Sequence, residues 1–174
     1  MHTQIIQPVT LVLTILLISA AVLSAQDMKT IQLPEPQTEG GRPLMEVLKD
    51  RHSSRQYSSK ELSLQTMSNL LWAAWGINRP ESGKRTAPSA MNNQEIEVYV
   101  STADGLYLYN AQAHTLELVM DHDIRAFTGG QAFVKDAPVN LIFVADYSKM
   151  GDTTEKQKIF YSAADTGFIS QNVY

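Results

Sequence analysis

The sequence predicts an α+β fold in which a mostly antiparallel sheet is flanked by helices. Residues 96–101 alternate between apolar and other side chains, which is the period of a strand with one covered face. An Asp104-Gly105 dipeptide of the kind that forms tight hairpin turns follows, and apolar residues return at 106–109 and 116–120. Residues 44–48, 64–75 and 153–173 instead carry apolar residues at helical spacing.

The helices that precede the hairpin have recognisable ends. Pro43 suits the first position of a helix, and the apolar stripe of residues 44–48 is expected to face the core. Ser63 suits the N-cap of the helix over 64–75, and Gly76 is expected to end that helix in a left-handed conformation. The polar residues 78–93, which include two prolines and a glycine, are expected to form one long loop.

The segments after the hairpin complete the predicted fold. Residues 139–145, VNLIFVA, are nearly all apolar, which is typical of a central strand covered on both faces. Asp152 and Glu155 have the spacing of a capping box at the start of the last helix. Because this helix stays apolar up to Tyr174, we expect the C-terminal part of the domain to be missing from the chain.

Composition excludes several classes of function. The chain has 174 residues, of which 44% are hydrophobic and 18% charged, so it is long enough for one packed domain. Its net charge of −4 and the absence of a basic run argue against nucleic acid or an anionic membrane surface as a partner. Without cysteine there can be no disulfide, thiol nucleophile or Cys-ligated metal. His114 and His122 lack metal-ligand spacing and are expected to be loop residues, so no metal site is predicted.

The first residues are expected to lie outside the folded domain. Residues 9–23 carry no charge and are followed by small side chains that end at Ala25, which is the pattern of a secretory signal peptide. Residues 1–25 are therefore predicted to direct export to the periplasm or the exterior; an uncleaved membrane anchor is the main alternative, and a buried helix is the other. Residues 26–42, with their prolines and glycines, are predicted to be a linker to a domain over 43–174.

Two segments carry side chains suited to ligand binding. Arg51-His52-Ser53-Ser54-Arg55 offers guanidinium and hydroxyl groups that could bind a phosphate, although a solvated basic helix end would look the same. Residues 87–94, APSAMNNQ, combine small residues with amides, which allow a backbone to approach a planar ligand and pair with its polar edge. An ordinary polar turn is the alternative interpretation of this second segment.

Together and in this order, the two segments resemble the nitroreductase family of flavoproteins. The matching patterns are Arg-His-Ser-x-Arg-x-aromatic after the first helix and Pro-Ser-x-x-Asn-x-Gln before the first long strand. The similarity continues through Gly105-Leu106-Tyr107, residues 130–139 and residues 165–172, so it covers 43–174. Within the family, the hairpin and the Gly-Gln-x-Phe-Val stretch that begins at Gly130 resemble most the branch that includes peptide azoline oxidases.

The resemblance implies a nitroreductase-like α+β fold that dimerises with FMN at the subunit interface. Arg51 and Ser53 would hold the phosphate and ribityl side of FMN, with His52 beside them, and Arg55 would lie near the pyrimidine edge of the ring. Asn92 would contact the flavin. The flavin would also be lined by Pro88, Ser89, Ala90 and Met91. These are binding residues, since the family reaction uses no protein nucleophile: NAD(P)H gives hydride to the flavin, which then reduces a nitroaromatic, quinone or similar acceptor.

Two departures from the family pattern leave other functions open. Glu95-Ile96 stands where many relatives have Pro-Trp, which affects packing on the substrate side. Relatives also continue past the last helix with a glycine-containing loop, a basic pair and an arm that reaches the partner subunit. The alternatives are therefore an azoline-type peptide dehydrogenase and a non-catalytic, truncated remnant of the fold.

Overall fold

The computed structural model describes residues 29–58 and 60–174. The predicted signal peptide, residues 1–25, lies outside this part of the chain. Within the described residues, no helix is both long and apolar enough to cross a bilayer. The helices are α1 (Leu44–Asp50), α2 (Leu64–Trp75) and α3 (Glu155–Val173). The strands are β1 (Thr30–Gln32), β2 (Ile77–Arg79), β3 (Lys84–Arg85), β4 (Ile96–Thr102), β5 (Gly105–Asn110), β6 (Thr115–Met120) and β7 (Asn140–Ala145).

The main sheet has five strands in the order β1-β6-β5-β4-β7, and every pair in it is antiparallel. β4 and β5 form the hairpin predicted around Asp104-Gly105, with Val100 opposite Tyr107 and Thr102 opposite Gly105. Helices α2 and α3 pack against each other on this sheet, where Leu71 and Ile169 are completely buried. The predicted α+β fold, a mostly antiparallel sheet flanked by helices, is confirmed.

The interpretation of residues 26–42 as a linker was wrong for the part that contains β1. Thr30–Gln32 pair with β6 at the edge of the sheet, and Leu33, just beyond them, is buried in the core. The backbone N–H of Leu33 also donates to the carbonyl of His114 at 3.2 Å. A strand of three residues is too short to show a period in the sequence, so its pairing depends on the neighbour it meets.

The first helix forms as predicted, but its apolar stripe does not reach the core. Leu44 is 70% exposed and Met45 76% exposed, and none of the residues of α1 is buried. Pro43 is the N-cap residue, with φ −54° and ψ 136°, rather than the first helical residue. Helical spacing identifies an apolar face without identifying what covers it, so the exposed stripe on α1 is a surface rather than part of the core.

Two expectations for residues 76–93 were also wrong. Gly76 is not left-handed, because its φ is −69° and its ψ 163°. Glycine suits the position because a Cβ there would lie 2.5 Å from Cδ1 of Trp72. The stretch 78–93 is not one open loop, since β2 and β3 pair within it and a 3₁₀ turn covers Ala90–Asn92. The hairpin holds the end of α2 close to the start of β4.

The last strand and the last helix also differ from their predictions in detail. β7 pairs with β4 but lies at an edge of the sheet, so its apolar run marks a half-covered strand rather than a central one. Helix α3 begins at Glu155, and its capping box consists of Thr154 and Gln157 rather than Asp152 and Glu155. The Thr154 hydroxyl, two residues closer to the helix than Asp152, accepts from the backbone N–H of Gln157.

Candidate functional site

The 51–55 segment leaves α1 in an extended conformation and is exposed throughout. Arg51 is the C-cap of α1, with φ −61° and ψ 121°, and its guanidinium carbon lies 5.6 Å from the centre of the Tyr174 ring. The guanidinium carbon of Arg55 lies 5.8 Å from the centre of the Phe133 ring. Neither arginine forms an ion pair with a carboxylate in the described part of the chain. Both charges therefore remain available to an anionic ligand.

Two further residues of this segment have polar groups suited to the same ligand. Nδ1 of His52 lies 2.8 Å from the carbonyl oxygen of Asp50 and donates to it, which fixes the imidazole ring beside the helix end. Ser53 is exposed, and its hydroxyl makes no hydrogen bond to another described residue. A free hydroxyl between two unpaired guanidinium groups is a donor set that fits a phosphate.

A cleft of about 480 Å³ opens beside Arg51, between α1, α2 and the end of α3. Trp72 and Tyr174 supply aromatic surface to this cleft, and Asn78 and Asn172 supply amides. Its other lining residues are Leu44, Val47, Leu48, Ala73, Thr86 and Gln171. An apolar cleft with a few polar groups and one cation at its rim is suited to a planar ligand with an anionic tail.

The 87–94 segment has an unusual backbone for residues that are not glycine. Met91, Asn92 and Gln94 have φ values of 53°, 56° and 49°, in the left-handed region. Such conformations cost free energy and persist only where surrounding contacts impose them, so a cluster of them often marks a functional segment. The contacts that impose them here come from Ser89, whose hydroxyl accepts from the N–H of Gln94 at 3.1 Å, and from Asp165. Oδ2 of Asp165 accepts from the N–H of Ala90 at 2.8 Å.

Arg85 supports the same segment from the β2–β3 hairpin. Its Nε donates to Oε1 of Gln94 at 2.8 Å, and its Nη1 donates to the carbonyl of Trp75 at 2.8 Å. The guanidinium carbon also lies 4.8 Å from the centre of the Trp75 ring. Burial lowers the pKa of Arg85, and its neighbour Tyr109 partly offsets that effect. Arg85 thus ties the end of α2 to the 87–94 segment.

The two segments predicted to bind one ligand line different clefts within a single chain. Arg51 lines the cleft described above, whereas Pro88, Ser89 and Asn92 line a second cleft of about 220 Å³ beside Arg85. Of the other predicted residues, Ala90 is half-buried and Met91 is 68% exposed. One copy of the chain therefore does not gather the predicted residues around a single cavity.

Two residues that shape the 87–94 segment were not predicted from the sequence. Arg85 precedes the segment in a stretch that looked like an open loop, and Asp165 lies 75 positions after Ala90 in the last helix. The residue pattern of the last helix carries no signal that Asp165 is buried, because Thr166 follows it and spacing along a helix does not distinguish a buried aspartate from an exposed one. In the described part of the chain, no cluster of histidine and acidic residues could hold a metal ion.

Comparison with known proteins assigns the family. The model of the nitroreductase family matches residues 48–174, which include both segments. The chain belongs to the nitroreductase family. A Methanocaldococcus jannaschii protein named as a nitroreductase is 32% identical over 158 residues, which cover 85% of this chain and 78% of that protein.

Solved structures agree with this assignment at the level of the fold. A crystal structure from Ralstonia eutropha, also named as a nitroreductase, has a TM-score of 0.80 and 42% identity, over 86% of this chain and 71% of that one. A chain of the E. coli microcin synthetase complex has a TM-score of 0.57 at 16% identity, over 99% of this chain and 68% of that one. At that identity the second likeness shows a shared fold and nothing finer. Membership of the nitroreductase family makes the chain a flavin-dependent oxidoreductase in general terms.

Proposed function

We propose that this nitroreductase-family chain binds FMN and transfers hydride from NAD(P)H through the flavin to a nitroaromatic, quinone or similar small acceptor. The observation that carries the proposal is the unpaired guanidinium of Arg51 at the rim of an aromatic-walled cleft, beside the free hydroxyl of Ser53. Charge-assisted hydrogen bonds from such groups are the usual means by which proteins hold a phosphate. Bound flavin would supply the hydride chemistry, while the protein supplies position and electrostatics.

The residues proposed for this site divide into two groups with different tasks. Arg51, His52 and Ser53 would anchor the phosphate end, and Arg55 would place a cation near the pyrimidine edge of the ring. The second group would lie against the ring itself and consists of Pro88, Ser89, Ala90, Met91 and Asn92. None of these residues is proposed to act as a nucleophile or to exchange a proton with substrate, so their contribution is binding and orientation.

We also propose that the site is completed by a second copy of the chain. The two groups line different clefts in one chain, and a second copy that brought its own segment across would unite them around one ligand. Exposed apolar residues on α1, such as Leu44 and Met45, and on α3, such as Phe160 and Phe168, offer surface that a homodimer would bury.

We further propose that residues 1–25 direct this protein out of the cytoplasm.

The experiment that tests the function uses the purified full-length chain. We expect a yellow protein, or one that takes up added FMN, and oxidation of NADH or NADPH that depends on a nitroaromatic or quinone. A colourless chain that takes up no FMN would contradict the proposal and favour the non-catalytic remnant. An FMN-loaded protein that ignores these acceptors but oxidises azoline-containing peptides would replace the proposed substrate class.

A further inference from the structure

Glu95 is a completely buried carboxyl group at the junction between the 87–94 segment and β4. Its backbone carbonyl accepts from the N–H of Asp146 at 2.9 Å, which fixes the residue at the end of the sheet. Neither oxygen of its side chain is reached by a donor group of another described residue. An ionised carboxylate without donors is very unfavourable in a protein interior, so the charge state of Glu95 requires an explanation.

The side chain of Glu95 interacts with a second buried carboxyl group, that of Asp165. Asp165 is 3% exposed in α3, and its Oδ2 already accepts from the N–H of Ala90. Two carboxylates this close cannot both be ionised at little cost, and a proton held between them removes the repulsion. Because Oδ2 of Asp165 is already an acceptor for the N–H of Ala90, whereas both side-chain oxygens of Glu95 lack a partner among the described residues, the shared proton is placed on Glu95.

The surroundings of Glu95 favour the protonated form. Burial raises the pKa of the Glu95 carboxyl; its own backbone N–H opposes this, and the charge and hydrogen bond of Asp165 raise the pKa further. The positive charge of Lys149 lowers the pKa, but it is the smallest influence. The Lys149 ammonium is itself bound by Glu97 at 3.1 Å and lies 3.7 Å from Asp146.

We propose that Glu95 is a positioning residue that shares one proton with Asp165 and thereby holds the 87–94 segment in its flavin-receiving conformation. This inference rests on the proposed function for the role of that segment. With the proton present, Glu95 donates to Asp165, and Asp165 keeps the N–H of Ala90. When the proton is lost, two negative charges face each other, Asp165 is displaced, and the left-handed residues that follow Ala90 lose their anchor.

The test measures the affinity of the full-length chain for FMN between about pH 5 and pH 9. In the natural chain we expect affinity to fall by roughly tenfold per pH unit above the pKa of the pair. Glu95→Gln keeps the shape and a donor toward Asp165 but cannot ionise, so it should retain FMN at alkaline pH. Asp165→Asn keeps an acceptor for Ala90 and removes one of the two charges, so it should behave in the same way. Glu117→Gln, a carboxylate elsewhere on the same sheet, is the matched control and should follow the natural chain.

The comparison between variants is needed because the phosphate of FMN itself ionises with a pKa of about 6. A Glu95→Gln profile identical to that of the natural chain would overturn the proposal. Infrared spectra provide a second readout without flavin: the carbonyl band of a protonated carboxyl group should be present at neutral pH and absent from Glu95→Gln. If no form binds FMN, the proposed function fails, whereas the infrared band still decides whether the proton is shared. If the carbonyl band of a protonated carboxyl group is missing from the natural chain, Glu95 and Asp165 do not share a proton and the proposal is wrong.

Discussion

The hydroxyl of Tyr109 lies 3.0 Å from Nδ1 of His114, and on the far side of the ring Nε2 lies 2.8 Å from Oγ of Ser68. Nε2 is also 3.1 Å from the carbonyl of Pro34, which can only accept, so Nε2 carries the proton and Tyr109 donates to Nδ1. Ser68 donates to the same carbonyl at 2.6 Å. His114 lies in the β5–β6 turn, as the predicted loop position requires, and its side chain connects this turn with α2 and the residues after β1.

Replacing His114 should therefore destabilise the domain. His114 has a φ of 53°, which asparagine tolerates, so His114→Asn isolates the loss of the side-chain bonds from backbone strain. We expect the free energy of unfolding to fall by about 1–3 kcal/mol, because Tyr109 and Ser68 lose their partner inside the protein. Urea unfolding measures this change. The control is His122→Asn, at a side chain that is 68% exposed; equal losses in the two variants would contradict the connecting role.

Arg51→Ala should weaken FMN binding. The variant removes charge-assisted bonds to the phosphate, which are worth about 1.5–3 kcal/mol, so the dissociation constant should rise roughly 10- to 150-fold. Fluorescence titration of FMN measures it. Arg42→Ala is the matched control, because Arg42 is already bonded to Asp50 and lies 3.9 Å from Glu46. An unchanged affinity in Arg51→Ala would refute the phosphate assignment.

Gly76→Ala should disturb the junction between α2 and β2. The new methyl group would lie 2.5 Å from Cδ1 of Trp72 and 2.6 Å from its carbonyl oxygen, which forces a shift of the ring or the backbone. Overpacking of this kind costs about 1–3 kcal/mol of the free energy of unfolding, measured by thermal or urea unfolding. Gly130→Ala is the control, since its methyl group would meet nothing within 4 Å. Similar free energies of unfolding for the two variants would contradict this prediction, because they would show that the Trp72 ring can move aside at no cost.

The ion pair between Asp123 and Arg125 should make a small contribution that depends on pH. Hydrogen bonds from the Arg125 side chain and backbone lower the pKa of Asp123 to about 2, from an ordinary value of 3.8. The stabilisation is thus present above pH 3.8 and lost as the pH falls through about 2. Asp123→Asn should cost at most about 1 kcal/mol near neutral pH, because the carboxylate is 42% exposed and screened by water.

Urea unfolding of Asp123→Asn across the acid range tests this dependence. The difference from the natural chain should narrow as the pH falls below the ordinary value of 3.8. Asp121→Asn, at a side chain that is 89% exposed, is the control and should show no comparable difference at any pH. A constant difference over the acid range would assign the effect of Asp123→Asn to something other than its charge.

Met45→Glu should weaken self-association if the exposed stripe on α1 is buried in a homodimer. Met45 is 76% exposed in one chain, so a charge there costs the monomer little but would be very unfavourable within a dimer interface. Sedimentation should show a dimer for the natural chain and a monomer for the variant. Val119→Glu, on β6, is the control, since Val119 is 45% exposed on another element. A natural chain that sediments as a monomer at all concentrations would refute the dimer.

Local patterns predicted those parts of the fold that depend on nearby residues. The β4–β5–β6 meander was predictable because alternating strands joined by a tight turn specify both their pairing and their covered face. Likewise, Ser63 was predictable as an N-cap, and its hydroxyl accepts from the N–H of Thr66 at 3.1 Å. By contrast, β1 and the edge position of β7 depend on which distant strand lies alongside, and no local period encodes that choice.

The candidate site also has parts that the sequence predicted and parts that it could not predict. The order and spacing of residues in 51–55 and 87–94 identified both segments as candidates for ligand binding. Their separation into two clefts could not be predicted, because it depends on how α1 and the β2–β3 hairpin pack in three dimensions. The contact between Ala90 and Asp165 was also invisible, since spacing along a helix does not distinguish a buried aspartate from an exposed one.

The edge position of β7 has a consequence for handling the protein. Within the described residues β7 is hydrogen-bonded to β4 alone, so its outer row of N–H and C=O groups faces outward, beside a Val144 side chain that is 43% exposed. An uncovered apolar edge of this kind is a template on which other copies can add strands and aggregate. The tendency of the folded chain to aggregate therefore depends on what occupies this edge. A charged residue in place of Val144 should reduce precipitation during purification.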